Sequence, residues 1–273
     1  MIMVNGHLSE LHSVRDRGLA YGDGLFETIA VKQRQPLLWD LHWERLASGC
    51  RRLKMDCSQE QALRSELAQL LGQADPAEQQ QCVVKIILTR GIGSRGYRVD
   101  ESSVTTRIIM LNPWPEFPAS NRREGVHCVI CDTRLAAQPL LAGIKHLNRL
   151  EQVMARMEWG ADNIAEGIML DQQNNVIEGT MSNIFFVRSA TELVTPSLSL
   201  CGIEGVQRSN VIELSEQLDI RVSKEVISHD QLSGYNEAFL TNSLIGIWPV
   251  RVIGTHAYEP GPVTRRLQAL IDV

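Results

Sequence analysis

Asn112-Pro113-Trp114-Pro115-Glu116-Phe117-Pro118 places three prolines within six residues near the middle of a 273-residue chain. A proline fixes φ and lacks an amide hydrogen, so this run can extend neither a helix nor a central strand. No single element can cross it. The chain is also about twice the usual length of one domain. The break therefore predicts two domains, residues 1–111 and residues 122–273, joined by a linker over 112–121.

Before the break, the pattern predicts a strand over 27–32, a turn, and a return through Pro36-Leu37-Leu38. Asp40 can cap a helix running to about residue 52, with apolar positions at Leu41, Leu46, Ala47 and Leu53. A second helix is expected over 58–71, then β-rich runs over 82–89 and 104–111 joined by a Gly-Ser-Arg-Gly loop. After the break, strands are expected from residue 126 and over 167–171, 176–178, 183–188, 192–195 and 220–226. Helices are expected over 147–159, 207–218 and 262–271. The fold class is mixed α/β, with more strands in the second half than a doubly wound sheet would need.

Composition narrows the function classes. A hydrophobic fraction of 44% with 22% charged residues describes an ordinary soluble globular chain. The net charge of −5 argues against broad nucleic-acid binding, though a local cluster of arginines and amides can still hold a small anion. No apolar run approaches the roughly 20 residues of a membrane span. The start, Met-Ile-Met-Val-Asn-Gly-His, lacks the basic flank and apolar core of a signal peptide, so cytoplasm is expected. Cys128-Val-Ile-Cys131 lies in a strand pattern, where residues three apart point to opposite faces. The pair can then neither bridge nor chelate, and no metal site is expected.

The five lysines are unequal. Lys32, Lys54 and Lys224 sit in polar or alternating surroundings and read as solvated charges. Lys85, within Val-Val-Lys-Ile-Ile-Leu, is the one rival to Lys145 for a partly buried position. Lys145 follows Leu140-Leu141-Ala142-Gly143-Ile144. A lysine in such an apolar shoulder can be desolvated, which favours a neutral amine able to form a Schiff base. An ordinary loop lysine is the alternative reading of this residue taken alone.

Its company resolves the choice. Arg17-Gly18-Leu19-Ala20-Tyr21-Gly22-Asp23-Gly24-Leu25-Phe26-Glu27-Thr28 resembles the signature of the fold-type IV pyridoxal-phosphate enzymes. Leu41-His42-Trp43-Glu44-Arg45-Leu46, Glu178-Gly179-Thr180-Met181-Ser182-Asn183, Gly205-Val206-Gln207-Arg208 and Leu240-Thr241-Asn242-Ser243 are similar to further motifs of that family, in the family's order. Within it, Ala142 to Gln152 and Thr89-Arg90-Gly91-Ile92-Gly93-Ser94-Arg95-Gly96-Tyr97 resemble the aminodeoxychorismate lyases of bacteria.

The resemblance implies a small N-terminal α/β domain, a larger barrel-like second domain with helices, and pyridoxal 5'-phosphate as cofactor. It implies that Lys145 is the catalytic amine, that Glu178 pairs with the ring nitrogen, and that Arg45, Val206, Gln207, Asn242 and Ser243 complete the cofactor site. Thr28, Arg95, Tyr97, His146 and Asn148 are the implied substrate-facing residues. The implied reaction converts aminodeoxychorismate to 4-aminobenzoate and pyruvate for folate synthesis, in a homodimer. An aminotransferase acting on D- or branched-chain amino acids would share the same cofactor apparatus. A cofactor-free scaffold on the same fold is a third reading, opposed by the retained lysine and carboxylate.

Overall fold

The computed structural model describes residues 1–100 and 103–271. It separates into two compact units: Met1–Pro115 with Ile144–Asn148, and Glu116–Gly143 with Arg149–Val273.

In the first unit, β1 (Ile2–Val4), β2 (His7–Leu8), α1 (Arg17–Tyr21), β3 (Gly24–Lys32), β4 (Gln35–Pro36), α2 (Trp39–Leu53), α3 (Glu60–Gln73), α4 (Pro76–Gln80), β5 (Gln81–Thr89) and β6 (Thr106–Pro113) follow in order. Their strands form one antiparallel sheet, ordered β2-β1-β6-β5-β3-β4. Period-2 alternation decides its faces. Leu25, Ile29, Val84, Ile86, Leu88 and Ile109 are buried, as are Leu46 and Cys50 of α2 and Leu63, Leu67 and Leu70 of α3. Gly49 of α2 lies so close to β3 that a Cβ there would come within 2.8 Å of Leu25. The opposite face carries Phe26, Thr28, Lys85, Ile87 and Ile108, all half-buried, and Ala30, which is buried.

Of the expected boundaries that differ, two have a visible cause. Asp40 is not the cap of α2: Leu38 stands at the N-cap in a left-handed conformation (φ 53) with no side-chain bond, and Asp40 lies in the first turn. There its charge still complements the helix dipole. The helix expected over 147–159 is shorter, because residues 144–148 are extended along β3. Phe26 N–H donates to Lys145 O at 2.9 Å and Leu147 N–H donates to Gly24 O at 3.0 Å. Helical hydrogen bonds cannot begin until those groups are used.

The second unit contains α5 (Ala119–Arg123), β7 (Val126–Leu135), α6 (Leu150–Arg156), β8 (Ile164–Asp171), β9 (Asn175–Gly179), β10 (Asn183–Ser189), β11 (Glu192–Pro196), α7 (Val206–Gln217), β12 (Arg221–Glu225), β13 (Ile227–Ser228), β14 (Glu237–Asn242), β15 (Gly246–Ile253), β16 (His256–Ala257) and α8 (Pro262–Leu270). The ten strands share one mixed sheet. Cys128, Ile168, Val176, Ile184, Phe186, Val194, Ala238, Leu240 and Val250 converge on one cluster. A sheet whose strands all point one face at a common core must curl around it, which gives the barrel-like form. The outer faces pack under helices: Phe185, Val187 and Phe239 with Val211 and Leu267, and Cys131, Met169 and Ile177 with Ala155 and Trp159. Cys128 and Cys131 thus enter different clusters on opposite sides of β7, as the strand pattern requires. Burial pushes both thiols up, Cys131 to about 12, so neither is a thiolate at neutral pH.

Candidate active site

In the first unit, the lysine expected to be reactive lies beside the start of β3. Lys145 Nζ lies 4.4 Å from the centre of the Phe26 ring, and Lys85 Nζ lies 5.4 Å from the same centre. Thr28 is the cross-strand partner of Lys85. The two lysines singled out in the sequence therefore share one aromatic ring, with Thr28 beside them. His146 pairs with Leu25 in an isolated bridge. Asn148 Nδ2 donates to Gly22 O at 3.2 Å. Gly22 holds φ 64, and a Cβ on it would come within 2.6 Å of Asn148 Oδ1. This position requires glycine twice over, for its backbone and for its neighbour.

Arg45 belongs to a buried cluster that the strand pattern did not disclose. Glu27, 1% exposed on the apolar face of β3, accepts from Arg45 Nε at 2.9 Å and Nη2 at 2.5 Å. His42 Nδ1 lies 2.6 Å from the same carboxylate. Burial pushes the Glu27 carboxyl up, but the Arg45 charge and the hydrogen bonds from His42 and Arg45 outweigh it and bring it down to about 2. Burial lowers His42 from its ordinary value, against the pull of Glu27. The imidazole is then neutral at pH 7, and its Nδ1–H donates to Glu27.

Both shifts act on stability in the same direction. Unfolded His42 binds a proton more readily than folded His42, so stability is lost as pH falls below its ordinary value of 6.5. Glu27 contributes fully above its ordinary 4.5 and loses that contribution as pH falls toward 2, by about 3 kcal/mol in total. Urea unfolding across pH 7 to 3 is expected to show stability declining in two stages. Glu27→Gln should remove the lower stage, and an unchanged profile would refute this assignment.

The loop carrying Arg95 and Tyr97 is clipped from beneath. Arg17 is buried and donates through Nη1 to Gly96 O at 2.8 Å and through Nε to Asp23 at 2.9 Å. Arg90 Nε reaches the same Asp23 oxygen at 2.8 Å, while its Nη2 donates to Leu53 O, at the end of α2. Gly96 N–H donates to the Tyr21 hydroxyl at 3.0 Å. Arg95 and Tyr97 are exposed, Tyr97 touching Tyr21 at 5.4 Å between ring centres.

In the second unit, Glu178, next to the end of β9, is 3% exposed, and its Oε2 accepts from Ile203 N–H at 2.8 Å. Asn183 Nδ2 donates to Ile203 O at 2.9 Å. A Cβ on Gly205 would collide with the Asn183 carboxamide, so Asn183 stands against the entry to α7. Val206 opens that twelve-residue helix, whose free amides and dipole attract an anion. Gln207 is buried with neither end of its carboxamide hydrogen-bonded within the described residues. A buried amide left so costs about 1–3 kcal/mol, which a polar ligand would relieve. Arg208 is also buried, with Thr195 Oγ1 and Pro196 O as acceptors. Burial lowers its pKa, against the charges of Glu204 and Glu178.

Asn242 plays a part different from a free donor. Its Oδ1 accepts from Leu244 and Ile245 amides at 2.8 and 3.0 Å, and its Nδ2 donates to Met181 O at 3.0 Å. The side chain shapes the turn that holds half-buried Ser243. Glu27, Glu166 and Asn183 were not singled out in the sequence. A carboxylate at an apolar position of a strand was the available signal for the first two.

The donor set fits pyridoxal phosphate. By residue chemistry, the Lys145 amine suits the aldehyde, the buried Glu178 carboxylate suits the ring nitrogen, and the amides of Val206 and Gln207 with the orphaned Gln207 carboxamide suit the phosphate.

Comparison with known proteins agrees. The crystal structure of 4-amino-4-deoxychorismate lyase from Pseudomonas aeruginosa matches with a TM-score of 0.93 and 44% identity, covering 99% of this chain and 97% of that one. An aminodeoxychorismate lyase of Vibrio harveyi is 34% identical over 289 residues, covering 100% of both chains. A putative branched-chain-amino-acid aminotransferase of Methanocaldococcus jannaschii is 28% identical, over 94% of this chain and 88% of its own. The amino-transferase class IV profile matches residues 24–253, and the chain belongs to that family.

Proposed function

We propose that the protein is a pyridoxal-phosphate-dependent lyase that converts 4-amino-4-deoxychorismate to 4-aminobenzoate and pyruvate. The observation that carries this reading is the end-to-end likeness to two lyases at 34% and 44% identity, against 28% for the aminotransferase. When bound, pyridoxal phosphate supplies an aldehyde for an amine and a ring that withdraws electrons from the carbon bearing it.

The chain's own residues do the rest. Lys145 anchors the cofactor through Nζ and then takes the proton from the amine-bearing carbon of the substrate. Phe26, packed against Nζ, shields that amine from water on one side. Glu178, buried and held at Oε2 by Ile203 N–H, keeps a proton on the ring nitrogen. Val206 and Gln207 amides, the Asn242–Ser243 turn and Arg45 bind the phosphate. Thr28, His146 and Asn148 line the substrate's side, and Arg95 and Tyr97 engage its carboxylates. Loss of the proton and of the enolpyruvyl oxygen leaves an aromatic ring, which makes the step strongly downhill.

Product analysis with aminodeoxychorismate tests the reading. 4-Aminobenzoate and pyruvate are expected in equal amounts. Conversion of the cofactor to its pyridoxamine form by D- or branched-chain amino acids, without those products, would favour the aminotransferase.

The same proposal includes a homodimer in the cytoplasm. Among the described residues, no helix is long and apolar enough to cross a membrane. Leu150, Val153, Met154 and Met157 follow at helical spacing along and just beyond α6, yet are 70%, 52%, 49% and 73% exposed. An apolar stripe of this kind is usually covered. Sedimentation at catalytic concentration is expected to give a dimer, and Val153→Lys with Met157→Lys to weaken it. A fully active wild-type monomer would overturn the dimer while leaving the lyase reading intact.

A further inference from the structure

Glu166, in the middle of β8, is 1% exposed and receives five hydrogen bonds. Oε1 accepts from Gly167 N at 2.9 Å, Thr180 N at 3.1 Å and Thr180 Oγ1 at 2.5 Å. Oε2 accepts from Met181 N at 3.2 Å and Ser182 Oγ at 2.7 Å. Four of the five come from the turn between Glu178-Gly179 and Asn183. A Cβ on Gly179 would come within 2.8 Å of Glu166 Oε2, so the turn closes tightly on the carboxylate.

Both ends of this turn lead to groups assigned above to the cofactor. At one end, Asn183 holds Ile203 O while Ile203 N–H holds Glu178 Oε2, which ties the turn back to Glu178 and to the entry of α7. At the other, Met181 O accepts from Asn242 Nδ2, whose Oδ1 organises the Asn242–Ser243 turn. Glu166 touches neither group itself. We infer that Glu166 is a positioning residue: by gripping the 180–182 turn it sets the spacing between the Glu178 carboxylate and the phosphate-binding amides. The inference rests on the cofactor reading given above.

Burial pushes the Glu166 carboxyl up from its ordinary value, and the bonds from Thr180, Ser182, Gly167 and Met181 pull it back. A glutamine cannot replace it. Its amide nitrogen cannot accept, and its two hydrogens would face donors already aimed inward. At least one donor of the turn would lose its acceptor, and the turn would move.

The test uses the full chain freed of cofactor and titrated with pyridoxamine phosphate, which binds without a covalent bond to the protein. Glu166→Gln is expected to lower its affinity roughly tenfold or more. Thr180→Val should lower it by a smaller factor, and Thr180→Ser, which keeps the hydroxyl, should bind as wild type does. Thermal melts of the same cofactor-free proteins separate this from simple destabilisation. Lower melting temperatures with unchanged pyridoxamine phosphate affinity in Glu166→Gln and Thr180→Val would overturn the positioning role. Should Glu166→Gln fail to fold, the Thr180 pair decides alone: equal affinities for Val and Ser overturn it. Wild-type protein that does not bind pyridoxamine phosphate would overturn the cofactor reading, and this inference with it.

Discussion

Lys145→Ala is expected to reduce turnover by about four orders of magnitude or more while the fold persists. The chemical reason is that, in the proposed reaction, one side chain both anchors the cofactor and carries the proton. The structural reason is that residues 144–148 are held to β3 by their backbone: Lys145 O and Leu147 N–H make the bonds, and alanine keeps both. Circular dichroism and melting temperature should therefore stay near wild type as activity vanishes. Borohydride reduction followed by peptide mapping adds a positional test. The pyridoxyl label is expected on Lys145. Lys85 is the proper control, because its Nζ lies over the same Phe26 ring. A label on Lys85 would sink the assignment.

Glu27→Ala is expected to cost about 3–5 kcal/mol of stability, the range for removing one partner of a buried ionic cluster. The carboxylate is 1% exposed and receives both Nε and Nη2 of Arg45 as well as His42. Alanine would remove the carboxylate from the half-buried Arg45 guanidinium and from His42. Urea denaturation at pH 7 measures the loss directly. A change below about 1 kcal/mol would show that water replaces the carboxylate at little cost. Cofactor affinity should fall as well, since Glu27 fixes the direction in which Arg45 presents its charge.

β3, β5 and β10 were readable as strands from their short apolar runs, and a strand's period of two sends residues three apart to opposite faces. The same rule separated Cys128 from Cys131 correctly. Helix ends were less readable. Leu38 caps α2 in a left-handed conformation that leucine has no intrinsic tendency to adopt, and α6 starts late because Lys145 O and Leu147 N–H, ahead of it, are bonded to β3. Both outcomes depend on partners distant in sequence.

The residues proposed for the site, and those that support them, divide in the same way. Lys145 and Glu178 could be picked out from local context and motif order, because a lysine after an apolar shoulder and a carboxylate closing a strand are local patterns. Glu27 and Glu166 could not, for each looks like a charge misplaced in a strand. Only tertiary structure supplied the reason they are tolerated: Arg45 of α2 neutralises the first while His42 hydrogen-bonds it, and five donors converge on the second. The amino-acid order by itself thus determined the apolar strand runs, the proline break and the family motifs, all of which depend on neighbours along the chain. Hydrogen bonding and desolvation act through space, so which buried charges are paired, and which turns they hold, was decided only when the chain folded.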